Sequence, residues 1–369
     1  MKNLKSLFSK SILKWSTGLI ALYGILILFK IPVNFQLLFN VIIGIGVFTL
    51  VLSPLIILHE LGHFFVGKYL GAEPEVFSVG MGKKIFGFKW LGADFIVSLL
   101  PIGGYVRFKK VQFAGEDGRN DSTNQLIAPH KWLWIALAGP VVNFVTAFVI
   151  FSFIFYGAVS SVNILKITSD TATLKAGDIL VVATENNSYA ELFQTFTKSN
   201  KDQHTFVFGN ETRKLRTVPL ADVQTLIPQV QKLSFIDKST RSISFSGELM
   251  EYLARTTVTS LTGLVTNPFK NYKNISSPIG ITQQVKTSYD MGWIYVFIII
   301  GALSFGLGFM NILPLAVLDG GRCIIAIYQT FVSVSLPTVF MNVVNYTSLG
   351  LVMLLMAVGF IADLVRSSL

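Results

Sequence analysis

Cysteine is almost absent: Cys323 stands alone in 369 residues. No intrachain disulfide can form, and no cysteine-based zinc site can be built. Histidine is nearly as scarce, with four copies, so any metal site must draw on those four or on carboxylates. Charge is low as well. Charged residues make up 14% of the chain against 52% hydrophobic residues, and the mean hydropathy is +0.60. These values exclude an ordinary soluble enzyme and fit a polytopic α-helical membrane protein with a modest polar insert. The net charge of +10 has no basic motif with interleaved aromatics behind it, which argues against a nucleic-acid partner. Lysines and arginines flanking membrane segments account for it. No internal repeat and no low-complexity tract is present.

Apolar runs divide the chain. Residues 1–30 hold Lys2, Lys5, Lys10 and Lys14 and then an apolar stretch, 15–29. A signal peptide is the alternative there. The following Lys30-Ile31-Pro32 lacks the small residues of a cleavage site, so a retained extra helix is expected. A core helix is expected over 31–66, a polar loop over 67–131 and a second core helix over 132–162. Residues 163–220 read as a soluble domain. Residues 221–290 read as a connecting region with an amphipathic helix near Glu248 to Val265. A third core helix is expected over 291–322. Residues 323–369 should hold a surface segment and, split off by Pro337, a final transmembrane helix from about Phe340. Five spans result. The N-terminal lysines place the N-terminus in the cytoplasm, the 67–131 loop on the same side and the larger polar region outside.

One pentapeptide carries the chemistry: His59-Glu60-Leu61-Gly62-His63. It closes the uncharged run 31–58, where hydrocarbon normally excludes ionisable groups and their presence marks function. On a helix His59 and His63 share one face. That spacing lets two imidazoles bind one zinc, with Glu60 beside them as general base toward the metal's water. A zinc hydrolase needs a third protein donor. His130 and His204 lie in polar regions. Asp319 ends an apolar run and is followed by Gly320-Gly321. It reads either as the third metal ligand or as a helix cap. Cys323, beside it, reads as a packing residue.

These motifs resemble the site-2 protease family of intramembrane zinc metalloproteases, in the bacterial branch with an inserted PDZ domain. The resemblance runs from about Leu52 onward. His59 to His63 is similar to the family's first signature. Asn311 to Gly321 is similar to its second, which carries the aspartate ligand. Ala138-Gly139-Pro140-Val141-Val142-Asn143 resembles an element whose asparagine lies near the active site and engages substrate backbone. Without the resemblance, Gly139-Pro140 reads as a helix kink and Asn143 as an interhelical hydrogen bond. Residues 77–82 and 101–106 resemble the ends of a membrane-reentrant β-hairpin, with Gly103, Gly104 and Tyr105 at a strand edge that pairs with unwound substrate; alone, the two glycines read as a turn. Leu174 to Leu180 resembles a PDZ turn and strand, with Asn186-Asn187-Ser188 where Asn-Gly is usual. Ser277 stands where glycine is usual, Ala316 where a second proline is usual, and Arg322 where histidine is common.

The resemblance implies a Zn2+ cofactor held by His59, His63 and Asp319, catalysis by Glu60, and substrate contacts at Asn143, Asn311, Gly103, Gly104 and Tyr105. It also implies a PDZ-like α/β domain over 163–220 and a multi-pass place in a bacterial inner membrane. The partners would be the lipid bilayer and transmembrane substrates already trimmed by another protease, such as anti-sigma factors or signal-peptide remnants. A scaffold binding protein tails through the PDZ-like domain is the alternative, but it should lack a ligand or the base. A metal transporter should carry several acids along a path, and the apolar spans offer one cluster. The charge pattern makes a topological prediction. In a Cys323-free background, a membrane-impermeant thiol reagent on intact cells should label a cysteine introduced within 166–290 and spare one within 67–131. The reverse labelling would invert the topology.

Overall fold

A computed structural model describes residues 35–109, 111–112, 125–161, 163–167, 179–182, 205–208, 215–217, 230–232, 234–272, 277–332 and 336–368. The extra helix expected at 15–29 lies outside them. The helices are α1 (Phe35–Tyr69), α2 (Pro129–Ser161), α3 (Phe235–Thr266), the one-turn α4 (Pro268–Asn271), α5 (Pro278–Met291), α6 (Trp293–Ile312), α7 (Asp319–Phe331) and α8 (Thr338–Ser368). Among the described residues, four stretches are long and apolar enough to cross a membrane: Thr49–Tyr69, Pro129–Gly157, Trp293–Ile312 and Val339–Asp363.

α2 is the hub, in contact with α1, α3, α6 and α7. Its sequence explains why. Gly139, Asn143, Ala147 and Phe151 recur every fourth residue and form one buried stripe, while Val141, Val145, Val149 and Phe153 form an exposed apolar stripe on the other side. A helix apolar all round, with small residues on one face, suits a membrane bundle in which backbones approach closely. The approach is close: a Cβ on Gly62 of α1 would lie 2.6 Å from the Ala138 carbonyl oxygen, and one on Gly308 of α6 3.0 Å from that of Pro140. α3 joins α2 through serines. Ser152 Oγ donates to Ser246 Oγ at 3.0 Å, and Ser242 Oγ donates to the Ser152 carbonyl. α3 begins at Phe235, well before the helix expected near Glu248, because Ser234 caps it by accepting from the Asp237 amide at 3.2 Å.

The helix expected across 291–322 is two helices. α6 ends at Ile312, a linker containing Pro314 follows, and α7 starts at Asp319. Proline cannot continue the helical ladder. The linker is tied to α8 by a 3.1 Å hydrogen bond from the Ala316 amide to Ser348 Oγ.

Between α1 and α2, β1 (Pro74–Trp90) and β2 (Ala93–Phe108) form a long hairpin. Val76 stands opposite both Arg107 and Asp94, and Val79 opposite both Gly104 and Val97. The 76–79 stretch therefore lies between two runs of β2, and the run through Gly104 is left at an edge. Phe77 and Phe95 stack on each other and meet Phe64 of α1 edge-on, in a small core that fixes the hairpin to α1. A two-residue parallel pair follows, β3 (Val111–Gln112) with β4 (Gln125–Leu126). Beyond α2, strands β5 (Asn163–Ile167), β6 (Ile179–Val182), β7 (Thr205–Phe208), β8 (Leu215–Thr217) and β9 (Val230–Lys232) make an antiparallel sheet ordered β8-β7-β6-β5-β9. Its last strand lies past the boundary expected at 220. Three residues of mixed polarity carry no strand signal of their own, and β9 exists because β5 offers it a partner at Leu165 to Ile167.

Near its C-terminal end α8 is held to α5 through a buried acid. Asp363 Oδ2 accepts from the Ser277 amide at 2.6 Å and the Gly280 amide at 2.9 Å, at the start of α5, where backbone N–H groups have no acceptor within the helix. Asp363→Ala should remove both hydrogen bonds, at about 1–3 kcal/mol each, and Asp363→Asn should cost less. Thermal unfolding in detergent measures the difference. Equal melting points for wild type and Asp363→Ala would remove this anchoring role.

Candidate metal centre

His59 lies in the second half of α1 (Phe35–Tyr69), inside its apolar stretch Thr49–Tyr69, and His63 follows one helical turn later on the same face of α1. Their Nε2 atoms are 3.2 Å apart. Asp319 Oδ2, at the first residue of α7, lies 3.0 Å from His59 Nε2 and 3.4 Å from His63 Nε2. These side chains are 7%, 12% and 13% exposed, so the triangle is screened from solvent. Tetrahedral ligands at about 2.0–2.1 Å from zinc stand about 3.3 Å from one another, and the triangle has that size. Among the described residues it is the cluster able to hold a metal ion.

The three groups are satisfied either by an imidazolium hydrogen-bonded to the carboxylate or by a cation held between them. His63 Nδ1 lies 2.7 Å from the Ile135 carbonyl oxygen, which accepts only, so Nδ1 carries the hydrogen. In the neutral ring Nε2 then presents a lone pair toward the Asp319 carboxylate. A cation between them resolves the repulsion. The other side of the triangle is Gly139. A Cβ there would lie 2.6 Å from His59 Cε1 and 2.7 Å from His59 Nε2, and would strike His63 Nε2. Only hydrogen fits at this point of α2, so Gly139 leaves room at the centre.

Asp319 reaches the histidines through the break after α6. Side chains on Gly320 or Gly321 would collide with the linker backbone at Ile312, Leu313, Leu315 and Ala316. The glycine pair thus lets the first turn of α7 fold directly onto the linker. Asp319 is not the cap: Leu318 takes that position without a side-chain bond, and the carboxylate turns to the histidines. Asn311, the penultimate residue of α6, places Nδ2 3.4 Å from His59 Nε2. Asn143 is fully buried with its amide 3.0 Å from His59 Nδ1.

Glu60 is outside the triangle and buried to 9% exposure. It faces the hairpin: a Cβ on Gly104 would lie 2.8 Å from Glu60 Cγ. Gly103, beside it, has φ +73°, a conformation that glycine adopts without strain, and Tyr105 stands opposite Ser78. His130 is exposed at the start of α2, away from the triangle, and His204 lies outside the described residues. Cys323, one turn beyond Asp319, is buried; burial first, and then the Asp319 carboxylate, push its thiol up to about 11. It is therefore no thiolate nucleophile at neutral pH.

The sequence matches Peptidase family M50 over residues 47–355. The chain belongs to peptidase family M50. Curated relatives of this M50 peptidase include a candidate zinc metalloprotease of Helicobacter pylori, 28% identical, the match covering 86% of the present chain and 98% of the relative. Another, of Clostridium acetobutylicum, is 28% identical over 89% of this chain and 98% of its own length. A third, of Campylobacter jejuni, is 25% identical over 86% and 92%. The M50 peptidase is a metalloendopeptidase and an integral membrane protein, and zinc is its metal. The donor triangle fits that ion in number, atom type and spacing.

The sequence left unseen the Ile135 carbonyl and the cradle at Gly139. The only hint was that Gly139 and Asn143 share a helix face. Gly139→Ala should weaken zinc binding about 10–100-fold, as losses around a metal site typically do, while alanine is the better helix former. Zinc content of the purified protein under a graded chelator checks this. Unchanged zinc affinity would show that the site tolerates a methyl group and would remove the cradle.

Proposed function

We propose that this M50 peptidase hydrolyses peptide bonds within transmembrane segments of other membrane proteins, with His59, His63 and Asp319 holding zinc and Glu60 as general base. One observation carries the reading: two histidines and a buried carboxylate on a helix apolar enough to cross a membrane converge with Asp319 of α7 on one metal-sized triangle, beside a strand edge. A zinc ion held there supplies a Lewis acid that polarises a carbonyl and brings the pKa of a water toward neutral. The chain's own residues do the rest. Glu60 accepts the proton of the attacking water as its oxygen bonds to the carbonyl carbon. It then delivers that proton to the amide nitrogen as the C–N bond breaks. The products are a carboxylate and an amine.

A helical peptide bond is shielded by its own hydrogen bonds, so substrate must be extended first. The edge run Gly103 to Tyr105 offers free backbone donors and acceptors for an added strand, and Gly104 sets that strand against Glu60. Asn311 stands where its amide can meet a substrate carbonyl. The hairpin tip carries exposed Ile85, Phe86, Phe88 and Trp90 among Lys83, Lys84 and Lys89, a composition suited to a membrane-reentrant loop. The five-stranded sheet after α2 belongs to a PDZ-like domain that filters or docks substrates outside the membrane. A trimmed stub passes where a bulky ectodomain does not. The setting is a bacterial inner membrane with the N-terminus in the cytoplasm, and the substrates are pre-trimmed proteins such as anti-sigma factors or signal-peptide remnants.

Purified protein in detergent and a panel of short membrane-spanning substrates test the reading. Glu60→Gln should bind zinc as wild type does and cleave about 10²–10⁴-fold more slowly, the usual contribution of a general base. Chelation should stop the wild type, and added zinc should restore it. Cleavage that survives Glu60→Gln contradicts the mechanism.

A further inference from the structure

Asn143 lies one turn after Gly139 on the buried stripe of α2 and has no exposed surface. Its amide touches His59 Nδ1 at 3.0 Å. The opposite face is held by α6: Ser304 Oγ donates to the main-chain carbonyl of Asn143 at 2.9 Å, and a Cβ on Gly308 would lie 3.2 Å from Asn143 Cβ. The second amide atom is buried without a hydrogen-bond partner among the described residues. A side chain enclosed in this way is beyond the reach of a substrate backbone, which separates it from the role that the family resemblance implies.

The two ends of a carboxamide have the same shape and differ in whether they donate or accept. With Nδ2 toward His59, Nδ1 must accept, and the ring hydrogen sits on Nε2, inside the triangle. With Oδ1 toward His59, Nδ1 carries the hydrogen, and Nε2 offers its lone pair to the triangle. The orientation with Nδ2 toward His59 leaves Oδ1 buried without a partner among the described residues, so the contact with His59 settles the choice. Only the second orientation makes His59 a metal donor. It is also the state that the Ile135 carbonyl imposes on His63. Metal-binding histidines generally donate their other N–H to a fixed acceptor, which sets ring angle and tautomer.

We infer that Asn143 is a positioning residue of the metal centre: its Oδ1 accepts the His59 Nδ1 hydrogen and holds Nε2 toward the zinc. The inference rests on the reading of His59 as a zinc donor. α6 takes part through Ser304 and Gly308, so the packing of two membrane helices is linked to the tautomer of one histidine.

The test measures zinc affinity by competition with a chelator on purified full-length protein, and KM and kcat separately. Asn143→Leu and Asn143→Ala remove the acceptor and should weaken zinc about 10–100-fold. Asn143→Asp keeps an acceptor in place and should hold zinc nearly as wild type does. Zinc-saturated Leu and Ala variants should keep the wild-type KM. Wild-type zinc affinity in both truncations, with a raised KM, would make Asn143 a substrate contact and overturn the inference. Zinc loss in Asn143→Asp equal to that in Asn143→Leu would also overturn it, since helix packing and not the acceptor would then be responsible. His59→Ala separates the underlying reading. If it retains zinc, His59 is no donor and both readings fall. If it loses zinc while the truncations hold it, only the role of Asn143 falls.

Discussion

The described helices around the site converge on three metal-donor groups that face one another in an apolar bundle. Two imidazole nitrogens and a carboxylate oxygen stand 3.0–3.4 Å apart, screened from water. Groups at that depth must be paired or bound to a cation. The Ile135 carbonyl occupies His63 from behind, Asn143 occupies His59, and only the front of the triangle is left for an ion. Zinc, which takes nitrogen and oxygen donors and keeps an open position in catalytic sites, is the ion the arrangement suits.

The helices divide the work of building this triangle. α1 supplies two donors and the buried carboxylate from one turn and a half. α7 supplies the third donor, made possible by the break after Ile312 and two glycines that fold its first turn back on the linker. α2 supplies no donor, yet it shapes the cavity: Gly139 leaves space and Asn143 contacts a ring. α6 braces α2 from behind through Gly308 and Ser304. The hairpin adds the remaining wall, with Gly104 allowing the edge strand to lie against Glu60. Small residues occur where backbones meet, as expected where packing rather than hydrophobic exclusion joins helices.

The parts legible in the sequence are those with local rules. Two histidines four residues apart must share a helix face, and an ionisable group ending an apolar run must have a reason to be there. His59, Glu60, His63 and Asp319 were visible on those grounds. Four of the apolar runs correspond to helices long enough to span a membrane. What stayed hidden depends on neighbours distant in the chain. The carbonyl of Ile135 has no side-chain identity and cannot be read as a partner for His63. The contact of Asn143 with His59 joins residues 84 positions apart. The strand at Val230–Lys232 has too few residues to announce itself, and the double pairing of the 76–79 stretch arises only when the hairpin folds over. The single helix expected across 291–322 failed because apolarity does not report the break that Pro314 and the glycine pair create.

The central claim is that zinc sits on His59, His63 and Asp319, and zinc-edge X-ray absorption of the purified protein addresses it most directly. The account predicts about one zinc per chain, a first shell of nitrogen and oxygen only at about 2.0–2.1 Å, and two imidazoles in the outer scattering. One imidazole should disappear in His63→Ala. A sulfur in the first shell, or an unchanged imidazole count in His63→Ala, would contradict it.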